Sequence, residues 1–169
     1  MAEDINERVP HKRRRKQQTD YQQRKKLVQS GEPRAVVRTS NKHTKTHIAH
    51  FETEGDENTA HAVSKELEEH GWEHSTGNLP AAYLTGFLTG IKADEDEAIL
   101  DLGLREKKDG GRVFAAVKGM NDAGLEVPVG EEALPQEGRI RGEHIKEMKD
   151  IDVPSGVDEV KENIRGVFE

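Results

Sequence analysis

The sequence predicts an α/β fold in which a mixed sheet starts with an antiparallel hairpin and helices pack on that sheet. A basic N-terminal arm and a C-terminal tail helix flank it. Two β-rich segments, residues 34–41 and 44–51, are joined by a short polar loop, which is typical of a hairpin. Helix-like and strand-like segments alternate after the hairpin, and this order favours a mixed α/β layer.

Length and composition favour one globular body with solvated ends. The chain has 169 residues, no cysteine, 32% hydrophobic residues and 35% charged residues. We expect a basic arm and helix over residues 1–30, a globular body over 31–150, and a linker with a tail helix over 151–169. The lack of cysteine excludes disulfides and thiolate metal sites and fits a cytoplasmic protein. No apolar run is long enough to cross a bilayer, so no membrane contact is expected.

The charge is divided sharply along the chain. Residues 1–50 carry 13 Lys/Arg against 5 Asp/Glu, a net charge of +8, whereas residues 51–169 carry 13 against 28, a net charge of −15. Five adjacent cations, from Lys12 to Lys16, have no apolar neighbours to pack with and predict an extended arm. Such a run binds a polyanion by releasing its condensed counterions. A solvated tail, a membrane-surface patch and a sorting signal are the alternatives.

A helix over residues 20–30 and the hairpin continue this positive charge. Thr19, with Gln22 three residues later, predicts a capping box for the helix. Even spacing places Arg34 and Arg38 on one face of the first strand. The cations and polar residues of the helix and hairpin are Arg24, Lys25, Arg34, Arg38, Lys42 and Lys45, with Ser40, Asn41 and His43 at the tip. Scattered surface charge is the alternative reading of the hairpin cluster.

The rest of the body yields further elements. A strand over 59–64 precedes a short helix over 65–72 and a helix that begins at the N-cap Asn78. Gly86 and Gly90 in that second helix predict close packing on a sheet. The apolar run 98–102 predicts a buried central strand. Later helices are predicted over 113–123, 139–148 and 157–168, with a polar link at 154–156 before the last.

Two groups of polar residues are candidates for metal sites. His43, His47 and His50 lie on a predicted strand, which places His50 opposite the other two, so no metal site is expected. Asp101 ends the buried strand, and a carboxylate metal site of nuclease type there lacks a second carboxylate.

The Gly110-Gly111-Arg112 segment precedes a helix and forms either a plain turn or a phosphate cradle. The chain has seven aromatic residues, and only Tyr21 lies among cations, so base stacking is disfavoured. We therefore expect contacts to the phosphates and sugars of a folded or helical nucleic acid. No helix-turn-helix or zinc-finger pattern suggests DNA reading.

Five blocks carry a resemblance to a known family: RRRKQQTDYQQRKKLVQSGEPRAVVRTSNKH, GNLPAAYLTGFLTG, AILDLGL, RVFAAVKGMNDAGLEVP and RIRGEHI. Together they resemble the archaeal form of large-subunit ribosomal protein eighteen over about residues 11–145. We found no counterpart for the tail after residue 150.

The resemblance implies a structural protein without catalytic residues or cofactor. It implies binding of 5S rRNA and its attachment to 23S rRNA in the central protuberance, beside a neighbouring 5S-binding ribosomal protein. The RNA-contacting residues that it implies are Arg13, Arg14, Arg15, Lys16, Thr19, Tyr21, Arg24, Lys25, Arg38, Ser40, Asn41, Lys42, His43 and Arg112. Charge alone adds Lys12 and Arg34. A non-ribosomal RNA-processing enzyme or subunit is the alternative, and a protein-interaction module that works through its tail helix is a third.

Overall fold

The computed structural model describes residues 9–168, and it contains one four-stranded mixed sheet. The strands are β1 (Arg34–Thr39), β2 (Thr44–His50), β3 (Glu57–Val63) and β4 (Ile99–Asp101). Their order is β3-β2-β1-β4, with β1, β2 and β3 antiparallel and β4 parallel to β1. The predicted α/β fold, with a mixed sheet that starts from an antiparallel hairpin, is confirmed. The first eight residues of the predicted arm lie outside the described residues.

Strand β4 differs from its prediction, because it lies at the edge of the sheet and not in its centre. It pairs with β1 alone, and Ile99 and Leu100 are only half-buried. Just before β4, the edge that faces away from β1 is covered by residue Glu126, whose carbonyl oxygen accepts a hydrogen bond from Ala98 N at 2.9 Å. The apolar run therefore lies at a protected edge, which a sequence pattern alone does not distinguish from a central strand.

Two helices, α3 (Leu79–Lys92) and α4 (Arg112–Asp122), cover one face of the sheet and form the core with it. Asn78 caps α3 as predicted, since its Oδ1 accepts a hydrogen bond from Ala81 N at 2.8 Å. All residues of α3 from Leu79 to Gly90 are buried, because the helix lies between the sheet and its neighbouring helices.

The glycines of α3 pack against a helix, so the prediction that they pack on a sheet is wrong. A Cβ at Gly86 would lie 2.6 Å from the carbonyl carbon of Ala116, and one at Gly90 would lie 2.7 Å from Ala123 Cβ. A Cβ at Gly119 of α4 would likewise lie 2.7 Å from the nitrogen of Phe87. Side chains at these positions would separate the two helix backbones.

Three helices end the chain: α5 (Glu137–Arg141), α6 (Glu143–Lys149) and α7 (Val153–Phe168). The single helix predicted over 139–148 is broken at Gly142, whose φ of 82° is in the left-handed region. The polar link predicted at 154–156 is the first turn of α7 instead, where proline is tolerated. The apolar face of α7 packs on the core, which confirms the tail helix. The helix predicted over 65–72 is a short 3₁₀ turn, Glu66–His70.

At the N-terminus, one helical turn, α1 (Lys12–Arg15), precedes α2 (Tyr21–Gln29). The extended conformation predicted for the arm is therefore wrong over the four residues of α1. Thr19 was predicted to cap α2, but Asp20 does so: its Oδ1 accepts hydrogen bonds from Gln22 N at 2.9 Å and Gln23 N at 3.3 Å. Within residues 9–168, no helix is long and apolar enough to span a membrane.

Candidate nucleic-acid interface

A chain of alternating charges crosses the face of the sheet opposite α3 and α4. Starting from α2, Arg24 donates to Asp56, Asp56 pairs with Arg34, Arg34 pairs with Asp101, and Asp101 pairs with Arg38. The arrangement joins α2, the loop before β3, β1 and β4. We call these five residues the outer-face network.

Arg34 is the buried centre of the outer-face network. Its side chain is 4% exposed, and its Nη2 and Nη1 lie 2.6 Å from Asp56 Oδ2 and 3.3 Å from Asp101 Oδ2. A buried guanidinium needs such partners, because transfer of an unpaired charge out of water is costly. Arg34 therefore joins β1 to β4 and to the loop before β3. The sequence had placed it among the RNA-contacting residues.

Arg38 is bonded on one side and remains partly exposed to solvent. Its side chain is 41% exposed, while its Nη2 donates to Asp101 Oδ1 at 2.9 Å and its Nη1 donates to the Asp101 carbonyl at 2.6 Å. These bonds fix the guanidinium plane at the sheet surface. Asp101 thus orients an arginine, and within the described residues no group of three potential metal ligands surrounds it or any other site.

The arm presents its cations to solvent. Lys12, Arg13, Arg14, Arg15 and Lys16 are all exposed. Two of them make local contacts, since Arg13 Nε donates to Thr19 Oγ1 at 2.9 Å and Arg14 lies 4.0 Å from Asp20. An exposed ion pair of that length is worth little, so these charges are available to an anion.

The arm, α2 and the sheet enclose a cleft of about 300 Å³. Arg13, Thr19 and Arg24 line it from the arm and α2, and Arg34 and Arg38 line it from β1. The structure therefore brings part of each predicted cation cluster to one cleft: Arg13 and Arg24 from the first, and Arg34 and Arg38 from the second. The hairpin-tip residues Asn41 and Lys42 do not line it.

Tyr21 and Lys25 lie on α2 beside this cleft. The ring of Tyr21 is half-buried, with its centroid 5.1 Å from that of His11, so it has a neighbour within the arm. Lys25 is exposed.

The hairpin tip is held through its backbone carbonyls by side chains that are distant in the sequence. Arg112 Nη1 donates to the carbonyls of Ser40 at 2.7 Å and Gly77 at 2.9 Å, and Thr76 Oγ1 donates to the Lys42 carbonyl at 2.9 Å. Gly77 is required here, because a Cβ would lie 2.5 Å from the carbonyl oxygen of Asn41. Arg112 therefore supports the tip, and its N–H groups are partly used.

This support leaves the side chains of the tip outside. Ser40, Asn41 and Lys42 are exposed, while His43 is half-buried with Nδ1 3.2 Å from Thr76 Oγ1. The Ser40 hydroxyl is used in the turn itself, accepting from His43 N at 3.0 Å. Asn41 and Lys42 are thus the tip groups best placed to meet a ligand.

Sequence reasoning missed Asp56 and considered Asp101 only as a possible metal ligand. Both carboxylates are far in the chain from the arginines that they contact, and no local signal links them. Sequence reasoning also did not identify three cations of one loop, Arg105, Lys107 and Lys108. Arg105 Nη2 donates to the Thr39 carbonyl. The run REKK at 105–108, inside an otherwise acidic half, was the signal that could have found these cations.

His47 faces the cleft between the arginines of β1. Burial lowers its pKa from the ordinary value of 6.5, and the charges of Arg38 and Arg34 lower it further, against the opposing charge of Asp101. His50 lies elsewhere, with Nε2 2.6 Å from Glu95 Oε1, so the three histidines do not converge.

The lowered pKa of His47 predicts a loss of stability in acid. The unfolded chain takes up a proton at His47 near pH 6.5, whereas the folded chain does so only at lower pH. The free energy of unfolding should therefore fall as the pH drops below 6.5, until the folded pKa is passed. His47→Gln should remove this part of the pH dependence in urea titrations from pH 5 to 8. Parallel curves for the two proteins would contradict the assignment.

Sequence comparison shows which family the chain belongs to. The family model for ribosomal large subunit proteins 60S L5 and 50S L18 matches residues 6–96. The chain belongs to this family. Large ribosomal subunit protein uL18 of Haloarcula marismortui is 41% identical over 180 residues, covering 97% of this chain and 96% of the relative.

Two further uL18 relatives agree. The protein of Haloferax mediterranei is 47% identical, covering 91% of this chain and 86% of the relative, and that of Korarchaeum cryptofilum is 48% identical, covering 86% and 76%. The resemblance seen in the sequence is confirmed, and the alternative of an RNA-processing enzyme is wrong, because uL18 is a structural ribosomal protein. The expectation that the tail lacks a counterpart is also wrong, since the Haloarcula alignment covers 97% of the chain.

Proposed function

We propose that this protein binds 5S rRNA and helps attach it to 23S rRNA in the central protuberance of the large subunit. Membership of a large-subunit family supports the setting. The observation that carries the proposal is the shared cleft, where the exposed arm residue Arg13 borders the same space as Arg38. A cation surface that combines an arm with a sheet face suits the curved sugar–phosphate chain of a folded RNA.

Eight cations would contact phosphates in this proposal. They are exposed or partly exposed, and none is buried in the core: Lys12, Arg13, Arg14, Arg15, Lys16, Lys25, Arg38 and Lys42. Arg24, Arg34 and Arg112 have supporting roles. Arg34 is buried, Arg24 joins α2 to Asp56, and Arg112 donates to backbone carbonyls at the hairpin tip. Thr19, Tyr21, Ser40, Asn41 and His43 would add polar contacts to sugars or phosphates.

The mechanism is electrostatic capture on a surface that is partly organised beforehand. The outer-face network fixes Arg38. Arg24 Nη2 donates to both carboxylate oxygens of Asp56, at 3.0 Å and 2.8 Å, and so anchors α2 over the sheet. Anchoring reduces the conformational entropy that the arm loses on binding RNA. Counterion release from the phosphates supplies the driving force.

The proposed surroundings follow from the same role. The partners are 5S rRNA, 23S rRNA and a neighbouring 5S-binding ribosomal protein, and the site of action is the cytoplasmic ribosome. We also propose that the three regions of the chain have different roles. Residues 1–30 bind RNA first, residues 31–150 form the globular binding surface, and residues 151–169 stabilise that globular part through the packing of α7.

Capture of native RNA by the full-length protein tests this function. From total RNA of an archaeal cell, we expect strong enrichment of 5S rRNA over tRNA, measured by gel and sequencing. A variant with Arg13, Arg14, Arg15 and Lys16 changed to glutamine should lose this enrichment. Recovery of tRNA and bulk RNA without preference by the unmodified protein would contradict the proposal.

A further inference from the structure

A second and larger groove lies away from the outer face of the sheet. It has a volume of about 1200 Å³ and lies between the loop that follows β4, the start of α4, and the α5–α6 region. The RNA-binding proposal leaves it unused, apart from Arg112 at one border.

The groove has an apolar floor and an exposed apolar rim. Leu79, Val113, Phe114, Ile145 and Val153 form the floor. Met148 at the rim is 72% exposed and Ile151 is 40% exposed. Leu104, next to the lining residue Arg105, is 50% exposed. Large apolar side chains gathered around one concavity are characteristic of a protein-binding surface.

The charge of the groove is opposite to that of its surroundings. Residues 51–169 carry a net charge of −15, yet the lining contains six cations and two carboxylates. The cations are Arg105, Lys107, Lys108, Arg112, Arg139 and Lys149, and the carboxylates are Glu73 and Glu106. Lys107 also lies 3.3 Å from Asp109, but a contact between two such exposed groups is worth little.

An RNA could contact the cations of this groove but not its apolar floor. Phosphates could meet the cations, but a sugar–phosphate chain has no apolar groups for the floor. The ring of Phe114, the one Phe, Tyr or Trp side chain in the lining, is buried at 3% exposure and offers no face for base stacking. A peptide segment can meet both parts at once, with apolar anchors in the floor and carboxylates on the cations.

We propose that this groove binds an acidic amphipathic segment of another protein in the large subunit. Two or three apolar side chains of that segment occupy the floor between α4 and α6. Its Asp or Glu side chains face Arg105, Lys107 and Lys108 on the loop after β4. The proposal goes beyond RNA binding, because none of the eight proposed phosphate-contacting cations lies in the groove.

Photo-crosslinking in assembled large subunits tests the groove. Met148 of the full chain is replaced by p-benzoylphenylalanine, the subunits are purified and irradiated, and products are identified by mass spectrometry. We expect a crosslink to a protein segment that has net negative charge and at least two apolar residues. A matched probe at Glu159, which is exposed on α7 and absent from the groove, should not give this product.

Charge reversal makes the test specific. Lys107→Glu with Lys108→Glu should reduce the yield of that crosslink by about fivefold, since two favourable contacts become repulsive. If the variant with both glutamates fails to assemble into subunits, Lys107→Gln with Lys108→Gln serves as the test, and its crosslink yield should fall by a smaller factor. A crosslink to rRNA, a crosslink to a basic segment, no crosslink, or an unchanged yield in both variants would overturn the proposal. Loss of 5S rRNA binding is measured separately, so the two proposals fail independently.

Discussion

Replacing Gly86 by alanine should lower the free energy of unfolding by about 3 kcal/mol or more, as expected for overpacking against rigid backbone. The added Cβ would lie 2.6 Å and 2.7 Å from the carbonyl carbon and Cα of Ala116. These are backbone atoms of a buried helix, so no flexible side chain can move aside. The interface between α3 and α4 must separate, and the core on both sides of it loses packing. Urea denaturation followed by circular dichroism measures the change.

The same substitution at Gly166 is the matched control. Gly166 lies in the last turns of α7, and a Cβ there would have no atom within 4 Å. Alanine has a better helix propensity than glycine by about 1 kcal/mol, so stability should stay constant or rise slightly. Equal losses at both positions would show that close packing of α3 on α4 is not the cause.

Asp101→Asn should also destabilise the protein strongly, by about 3 kcal/mol, the usual cost of removing one partner of a buried ion pair. Arg34 would keep Asp56 but lose a carboxylate 3.3 Å from its Nη1. Asparagine has one acceptor oxygen where Asp101 has two, so the side-chain contacts to Arg34 and Arg38 cannot both persist, whereas the contact of Arg38 to the backbone carbonyl is kept. RNA affinity should fall as well, because Arg38 is no longer held in one orientation.

A double-mutant cycle separates the ion pair from general damage. With Arg34 changed to methionine, Asp101→Asn should cost markedly less, because no buried guanidinium is left without its partner. The unfolding free energies of the four proteins give the coupling. Additive effects of the two substitutions would contradict the outer-face network as described.

Local signals account for what the sequence predicted well. The hairpin follows from β-branched residues on both sides of a four-residue polar loop, and the start of α3 follows from Asn78 with a proline two residues later. The tail helix follows from the spacing of Val157, Val160 and Ile164, all of which are buried in α7. Each of these features is determined within a few residues of the chain.

Features that depend on distant contacts could not be predicted in the same way. The edge position of β4 depends on which strand it pairs with, and its apolar residues are compatible with a centre as well as an edge. The burial of Arg34 depends on a carboxylate 67 residues further along the chain. Charge counting therefore located the cation surface but not which of its arginines serve the fold.

The salt dependence of 5S rRNA binding tests the central claim most directly, namely that arm and sheet cations form one phosphate-binding surface. Eight phosphate contacts predict a slope of log affinity against log salt of about −7 on duplex-like RNA. Changing Arg13, Arg14, Arg15 and Lys16 to glutamine should reduce the slope to about −4. The charge-matched control, with Lys65, Lys118, Lys146 and Arg165 changed to glutamine, should keep the original slope. A slope shallower than about −2 for the unmodified protein, or equal reductions in both variants, would contradict the claim.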